Sequence, residues 1–312
     1  MYLVTGGAGF IGSNIVEALV VAGERVRVLD DLSNGVAANL EPFGDAVELV
    51  EGDIRDAATV QRATDGARIV LHLAALGSVQ RSVDDPATSN AVNVSGTVNV
   101  LDAARRAGVE RVVFSSSSSV YGENPEMPKH EGLTPAPISP YAVTKLAGEA
   151  YARAFHRVYG LDTVCLRYFN VFGPRQRPDS AYAAVIPLFM GWASEGKPLV
   201  INGDGEQSRD FTYVDNVVDA NLKAARAEGV GGRVFNIACG ERYSLLDIIG
   251  TLEEITGRTL ERHHREPRVG DVRHSEAAVS AAEEALGYRT VVTFREGMER
   301  TWKAFQARCS AP

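Results

Sequence analysis

The feature that most constrains this chain is an alternation. Short runs rich in β-branched and aromatic residues recur: YLVTG (2 to 6), ERVRVLDD (24 to 31), AVELVEGD (46 to 53), RIVLHLAA (68 to 75), RVVFSSS (111 to 117) and TVCLRYFN (163 to 170). Stretches of helical period such as IGSNIVEALVVAG and TVNVLDAARRAG separate most of them. Strand–helix–strand units cross over right-handedly and build a parallel sheet covered on both faces. An α/β, doubly wound domain over residues 1–170 follows. After Asn170, Gly, Pro and polar residues thicken (VFGPRQRPDS, EGKPLVINGDGEQSRD), which predicts a smaller C-terminal α/β domain over 171–312. The run RVFNIA (233 to 238) is a candidate to return to the main sheet.

TGGAGFIG sets Gly6, Gly9 and Gly12 directly after the first strand and at the start of an amphipathic helix. Glycines there permit a tight turn and let a pyrophosphate approach the helix N-terminal N–H groups, the pattern of a dinucleotide-binding Rossmann sheet. Asp30 closes the second strand 18 residues after Gly12, suited to hydrogen-bond both ribose hydroxyls, and Asp31 follows it. With no Arg immediately beside the pair to accept a 2′-phosphate, NAD is preferred over NADP. Asp53, ending the third strand, is balanced between a contact to adenine and the N-cap of the next helix.

Five serines close the fifth strand in VVFSSSSSVYG. A flexible linker would be flanked by polar or Gly-rich sequence, whereas this run follows VERVVF and ends where doubly wound sheets bind ligands. Further on, SPYAVTK places Tyr141 and Lys145 four residues apart, on one face of a helix. A phenol of pKa about 10 needs roughly 4 kcal/mol of preferential phenolate stabilisation to act as a base near neutrality. One ammonium at about 4 Å in an intermediate dielectric supplies about that much. Ser117 then orients a reacting hydroxyl whose proton Tyr141 takes, and Lys145 also reaches the nicotinamide ribose.

Composition excludes several other classes. The 312 residues are 45% hydrophobic and 23% charged, an ordinary folded core, and a net charge of −8 gives no broad basic field for nucleic acid or anionic membrane. Cys165, Cys239 and Cys309 lack metal-ligand spacing and are odd in number, so neither a metal site nor a disulfide framework is expected. No apolar run approaches the ~18 residues of a membrane span, and the opening MYLVTGG lacks a basic n-region. The expectation is a cytoplasmic protein. His72 and His130 have no partner at catalytic spacing and read as structural.

With these motifs in place, the sequence resembles the extended short-chain dehydrogenase/reductase family, and within it the nucleotide-sugar 4-epimerases of the UDP-glucose 4-epimerase type. The motifs TGGAGFIG, LDDLSNG, HLAALGSVQRS, FSSSSSVYG, SPYAVTK, LRYFNVFGPRQ, NGDGEQSRDFTYVDNV and RVGDVRHS carry the resemblance across essentially the whole chain. It implies catalytic roles for Ser117, Tyr141 and Lys145, and a hydrogen bond from Ser118 to the sugar. It further implies NAD contacts from Phe10, Ile11, Asp30, Asn34, Gly35, Asp53, Ile54, Leu73, Ala74, Ala75, Asn93 and Tyr168. A UDP grip is implied at Asn170, Arg209, Arg268 and Asp271, arginines to pyrophosphate and acid to ribose. Gly77 departs from the pattern where some of these epimerases carry a Lys against the cofactor.

The implied reaction is redox-neutral: C4 of a UDP-hexose is oxidised to a ketone, the 4-keto sugar turns over, and the hydride returns to its opposite face. Dehydrating relatives carry an Asp-Glu pair where Ser118 and Ser119 stand, and decarboxylating relatives a Glu that is absent here. Ser275 stands where glucose-restricted members have a bulky Tyr, leaving room for an N-acetyl group, and Ser78, Gln80 and Ala184 are expected to line the sugar pocket. GPRQRPD resembles members acting on UDP-glucuronate, with Arg81, Arg177 or His274 as carboxylate readers. A catalytically silent NAD-binding protein on the same fold is the alternative from another class, against which retention of Ser117, Tyr141 and Lys145 argues. The family implies a homodimer through the helices in NVSGTVNVLDAARRAG and SPYAVTKLAGEAYARAFHRVYG.

Overall fold

The computed structural model describes residues 1–177, 184–266 and 273–309, with side chains described up to residue 307. The six strand-like runs form β1 (Tyr2–Thr5), β2 (Val26–Asp30), β3 (Val47–Glu51), β4 (Ile69–His72), β5 (Arg111–Ser117) and β6 (Asp162–Tyr168). The strand Arg233–Ile237 joins them against β6, completing a seven-stranded sheet in the order Arg233–Ile237, β6, β5, β4, β1, β2, β3. Every pairing in it is parallel. The order reverses between β1 and β4, the switch point at which such sheets open a crevice for ligands.

Period-two alternation divides the strand side chains between two cores. Tyr2, Val4, Val26, Val28, Ile69, Leu71 and Val113 enter one apolar cluster, while Leu3, Leu29, Val70 and Val112 enter the other. Each fully buried Leu, Ile or Val contributes about 1.5–3 kcal/mol, so a strand buried on both faces cannot slip register cheaply. On the first side lie helix α1 (Phe10–Val21) and the helix Val214–Ala224. On the second, α2 (Ala57–Thr64) packs against α5 (Thr97–Arg106). β3 departs from the expected double cover: it is an edge strand and stays partly exposed along its length.

Between β4 and β5 run α3 (Val79–Asp84), α4 (Pro86–Asn90), a π-helical turn at Ala91–Gly96, and α5. Between β5 and β6 runs the long α6 (Pro140–Tyr159), capped at Ser139, whose hydroxyl accepts from Ala142 N, and stopped at Gly160 in the left-handed region. Beyond β6 the chain builds short pairs: Val171–Phe172 with Thr212–Tyr213, Leu199–Asn202 with Arg262–Arg265, and Ser208–Arg209 between Tyr243–Ser244 and His274–Ser275. The first apolar cluster continues into this part through Phe172, Phe189, Phe294 and Met298.

Candidate active site

A cavity of about 1670 Å³ opens where β1 and β4 diverge. Its floor is the turn after β1. Gly6 has φ +71°, and a Cβ on Gly12 would lie 2.1 Å from the Gly6 carbonyl, so only glycine lets the turn fold onto the helix start. Gly9, the N-cap of α1, offers no side chain to the first-turn N–H groups, which leaves them for an anion. Asp30 is buried, and its two oxygens accept from Ala8 N and Leu32 N, both at 2.9 Å. That aims the carboxylate and leaves lone pairs on each oxygen for hydroxyls. Burial pushes Asp30 above its ordinary carboxylate value, partly offset by those N–H bonds. A glycine cradle, a bare helix start and an aimed carboxylate fit a dinucleotide.

Gly6, Gly9, Phe10, Ile11, Gly12, Asp30, Asp31, Asn34, Gly35, Asp53, Ile54, Leu73, Ala74, Ala75 and Tyr168 all line this cavity. Asn93 is placed differently. It is buried beneath the loop after β4, where its amide accepts from Leu76 N and donates to Leu76 O and Thr144 Oγ1, so it braces the wall instead of facing the cavity. The N-cap alternative for Asp53 falls to Asp56, whose carboxylate caps α2. Asp53 pairs with Arg55 at 2.5 Å, and that hydrogen bond holds its carboxyl below the usual range.

The serine run meets α6 at the other end of the crevice. The Ser117 hydroxyl hydrogen-bonds the Tyr141 phenol and accepts from Ser119 N. Lys145 Nζ donates to Ser115 O at 2.7 Å and lies 5.9 Å from the Tyr141 ring centre. Burial raises Tyr141 above the ordinary tyrosine value, with Ser117 pulling the other way, and lowers Lys145 to about 8, with Glu149 opposing. In this arrangement the raised Tyr141 value follows from its own burial. The ammonium is spent on a carbonyl and held off the ring, and the desolvation of Tyr141 outweighs it.

Ser78, Gln80, Ser118, Asn170, Ala184, Arg209 and Ser275 also line the cavity, whereas Arg268 and Asp271 lie outside the described residues. A second cavity of about 1050 Å³ adjoins it and shares Asn170 and Arg209. Asn170 holds φ +31° with its amide donating to Asp210 O. Of the three carboxylate readers, Arg81 and Arg177 line the main cavity, Arg81 donating to Asn34 Oδ1, while His274 is hydrogen-bonded to Ser208. His72 is sealed between Thr5 and Thr97 and pulled down to about 3 by burial; His130 pairs with Glu126 on the surface.

Sequence reasoning missed Lys129, Arg175, Gln176 and Ser119, all lining the cavity. Ser119 Oγ is buried without a hydrogen-bond partner. Lys129 reaches the cavity through its bridge to Ala277, a tertiary pairing with no local signal. Among the described residues no group of His, Cys, Asp or Glu is placed to hold a metal ion, and no helix is long and apolar enough to cross a membrane.

Fold and site together define a dinucleotide-dependent enzyme of the Rossmann class with a Ser/Tyr/Lys centre. The chain belongs to the NAD dependent epimerase/dehydratase family, whose model matches residues 2–238. A UDP-glucose 4-epimerase of Mycolicibacterium smegmatis is 42% identical, over 97% of this chain and 98% of its own. The crystal structure of a UDP-glucose 4-epimerase with UDP-glucose from Thermotoga maritima superposes with a TM-score of 0.94 at 39% identity, covering 99% of both chains. A UDP-N-acetylglucosamine 4-epimerase from Methanobrevibacter ruminantium, in complex with UDP-N-acetylmuramic acid, gives 0.94 at 38% identity and 98% of both chains.

Proposed function

We propose that the protein is an NAD-dependent isomerase that inverts C4 of a UDP-hexose through a transient 4-keto sugar, acting on UDP-glucose/galactose and on UDP-N-acetylhexosamines. The observation that carries this reading is the convergence of Ser117, Tyr141 and Lys145 at the end of a crevice whose other end is a glycine cradle with Asp30. Ser117 orients the C4 hydroxyl, Tyr141 takes its proton and returns it, and Lys145 holds the strand end that presents both. NAD, when bound, would take up the C4 hydride and give it back, and its nicotinamide would add a positive charge beside Tyr141 to that of Lys145. The anionic UDP is gripped by Arg209 with Asn170, and Ser118 and Ser119 offer hydroxyls where neighbouring-carbon acid and base would be required for dehydration.

Residues 1–170 carry the cofactor in this reading and 171–312 the nucleotide sugar. Ser275 in the cavity wall supports room for an N-acetyl group. Arg177, also lining the cavity, supports a second reading as a UDP-glucuronate 4-epimerase. We place the enzyme in the cytoplasm, supplying sugars for polysaccharide biosynthesis, and as a homodimer, supported by Val143, Tyr151 and Val158 exposed on α6. Incubation of the purified protein with UDP-glucose, UDP-N-acetylglucosamine or UDP-glucuronate, followed by NMR, tests the proposal. Inversion at C4 is expected, and no inversion of any of the three with NAD supplied overturns it.

A further inference from the structure

Glu149 is the charged group at the centre that the reaction above does not use. It lies on α6 two turns after Tyr141 and one after Lys145, and it is buried, as is its partner Arg167. Arg167 donates to it twice, Nε to Oε1 at 2.9 Å and Nη2 to Oε2 at 2.7 Å, and covers the Tyr121 ring at 4.7 Å. The Ser116 hydroxyl also donates to Oε1. Three successive serines of β5 are thus held by three successive turns of α6: Ser117 by Tyr141, Ser115 by Lys145 and Ser116 by Glu149.

A buried ion pair is a weak source of stability, since an apolar pair of the same volume commonly does as well. Something else must explain this one. Lys145 is buried against a neutral carbonyl and the Phe114 ring. The groups around it are Tyr141 and Glu149 on its own helix, Ser115 and Phe114 on β5, His72 on β4, which burial keeps neutral, and Tyr168 and Arg167 on β6. Glu149 is the anion among them, and it opposes the desolvation that drives Lys145 toward the neutral amine.

We propose that Glu149 is a positioning residue for the reaction: it is the counter-charge that keeps the Lys145 ammonium protonated, and it ties the serine strand to α6 in the register that aligns Ser117 with Tyr141. The inference rests on the epimerase reading for its turnover arm only. Arg167 enters as the cation that holds the carboxylate in place.

The test titrates Lys145 directly by ¹³Cε-lysine NMR, assigned with Lys145→Arg, in the wild type and in Glu149→Gln. The expected result is a Lys145 midpoint about one pH unit or more lower in Glu149→Gln. In parallel kcat should fall roughly tenfold, with its alkaline limb moved the same way and KM for the UDP-sugar nearly unchanged. Because Glu149→Gln leaves Arg167 unpaired, Glu149→Gln/Arg167→Met is measured beside it. The double variant should recover the melting temperature without recovering the Lys145 midpoint, whereas Glu149→Asp should restore part of it. A wild-type midpoint in folded Glu149→Gln, or wild-type kcat in the double variant, overturns the proposal. A wild type that inverts no UDP-sugar while the Lys145 midpoint still moves would sink the epimerase reading and leave this one standing.

Discussion

Lys145 stands one helical turn from Tyr141, yet its ammonium bonds the Ser115 carbonyl at 2.7 Å and keeps 5.9 Å from the phenol ring centre. The lysine therefore fixes the strand that carries Ser117 at least as much as it acts on the phenol. Ser117 is the side chain hydrogen-bonded to the Tyr141 phenol. From this, Tyr141→Phe should fold and retain NAD, because the ring and its packing remain, while turnover falls at least about a hundredfold. Near-normal turnover by NMR would remove Tyr141 from the acid/base role.

Lys145 also sets a pH dependence. Its folded value of about 8 lies below the ordinary 10.5, so the folded state sheds this proton first. Between those values the unfolded chain binds more protons, and stability from this group rises with pH; below about 8 its full desolvation cost is present. Activity has the opposite sign, because the ammonium is the working form: kcat should decline as pH passes through about 8. Lys145→Met should lower kcat and abolish that limb, which a pH–rate series reads directly.

The cofactor floor is sterically exact for glycine. With a Cβ at position 12 set 2.1 Å from the Gly6 carbonyl, Gly12→Ala must move either the turn or the start of α1. The variant should bind NAD at least about tenfold more weakly and melt lower. Calorimetric titration of NAD into the apo-protein checks this, and an unchanged affinity would count against the turn as the pyrophosphate cradle.

Asp210 is fully buried next to Arg209 and accepts from Cys239 N, Gly240 N and Ala277 N. Burial raises it to about 6 against those three bonds. Since the folded value lies above the ordinary 3.8, the folded state holds the proton more tightly, and this group's contribution to stability falls as pH rises from about 4 to 6. Asp210→Ala leaves the three N–H groups unpaired and should cost about 3 kcal/mol or more, seen in urea unfolding.

Ser275→Tyr narrows the sugar end of the cavity. The ratio of kcat/KM for UDP-glucose over UDP-N-acetylglucosamine should rise roughly tenfold or more. Equal losses on both substrates would show that Ser275 does not face the N-acetyl group.

The sheet was legible because its signal is repeated and local: seven runs with strand chemistry became seven strands, and TGGAGFIG announced its own turn. Side-chain destinations were not, since spacing gives a face and says nothing of partners. Asn93 reads as a ligand from its motif, and in the fold its amide is engaged by Leu76 and Thr144. The cap reading falls on Asp53 by sequence, and the observed hydrogen bonds give the cap to Asp56. Glu149 carries no local signal of its burial, which depends on Arg167 arriving from β6.

The serine tract carries a consequence for its length. Removing any one of its five serines yields the same four-serine sequence, so the tract reads as redundant along the chain. In the folded chain no two of the first three serines do the same job, and four residues on, the Tyr121 hydroxyl is anchored to Asn236. A shortened tract would have to misalign either the strand with α6 or Tyr121 with its anchor. A repeat that drifts freely in a linker is here held to a fixed count.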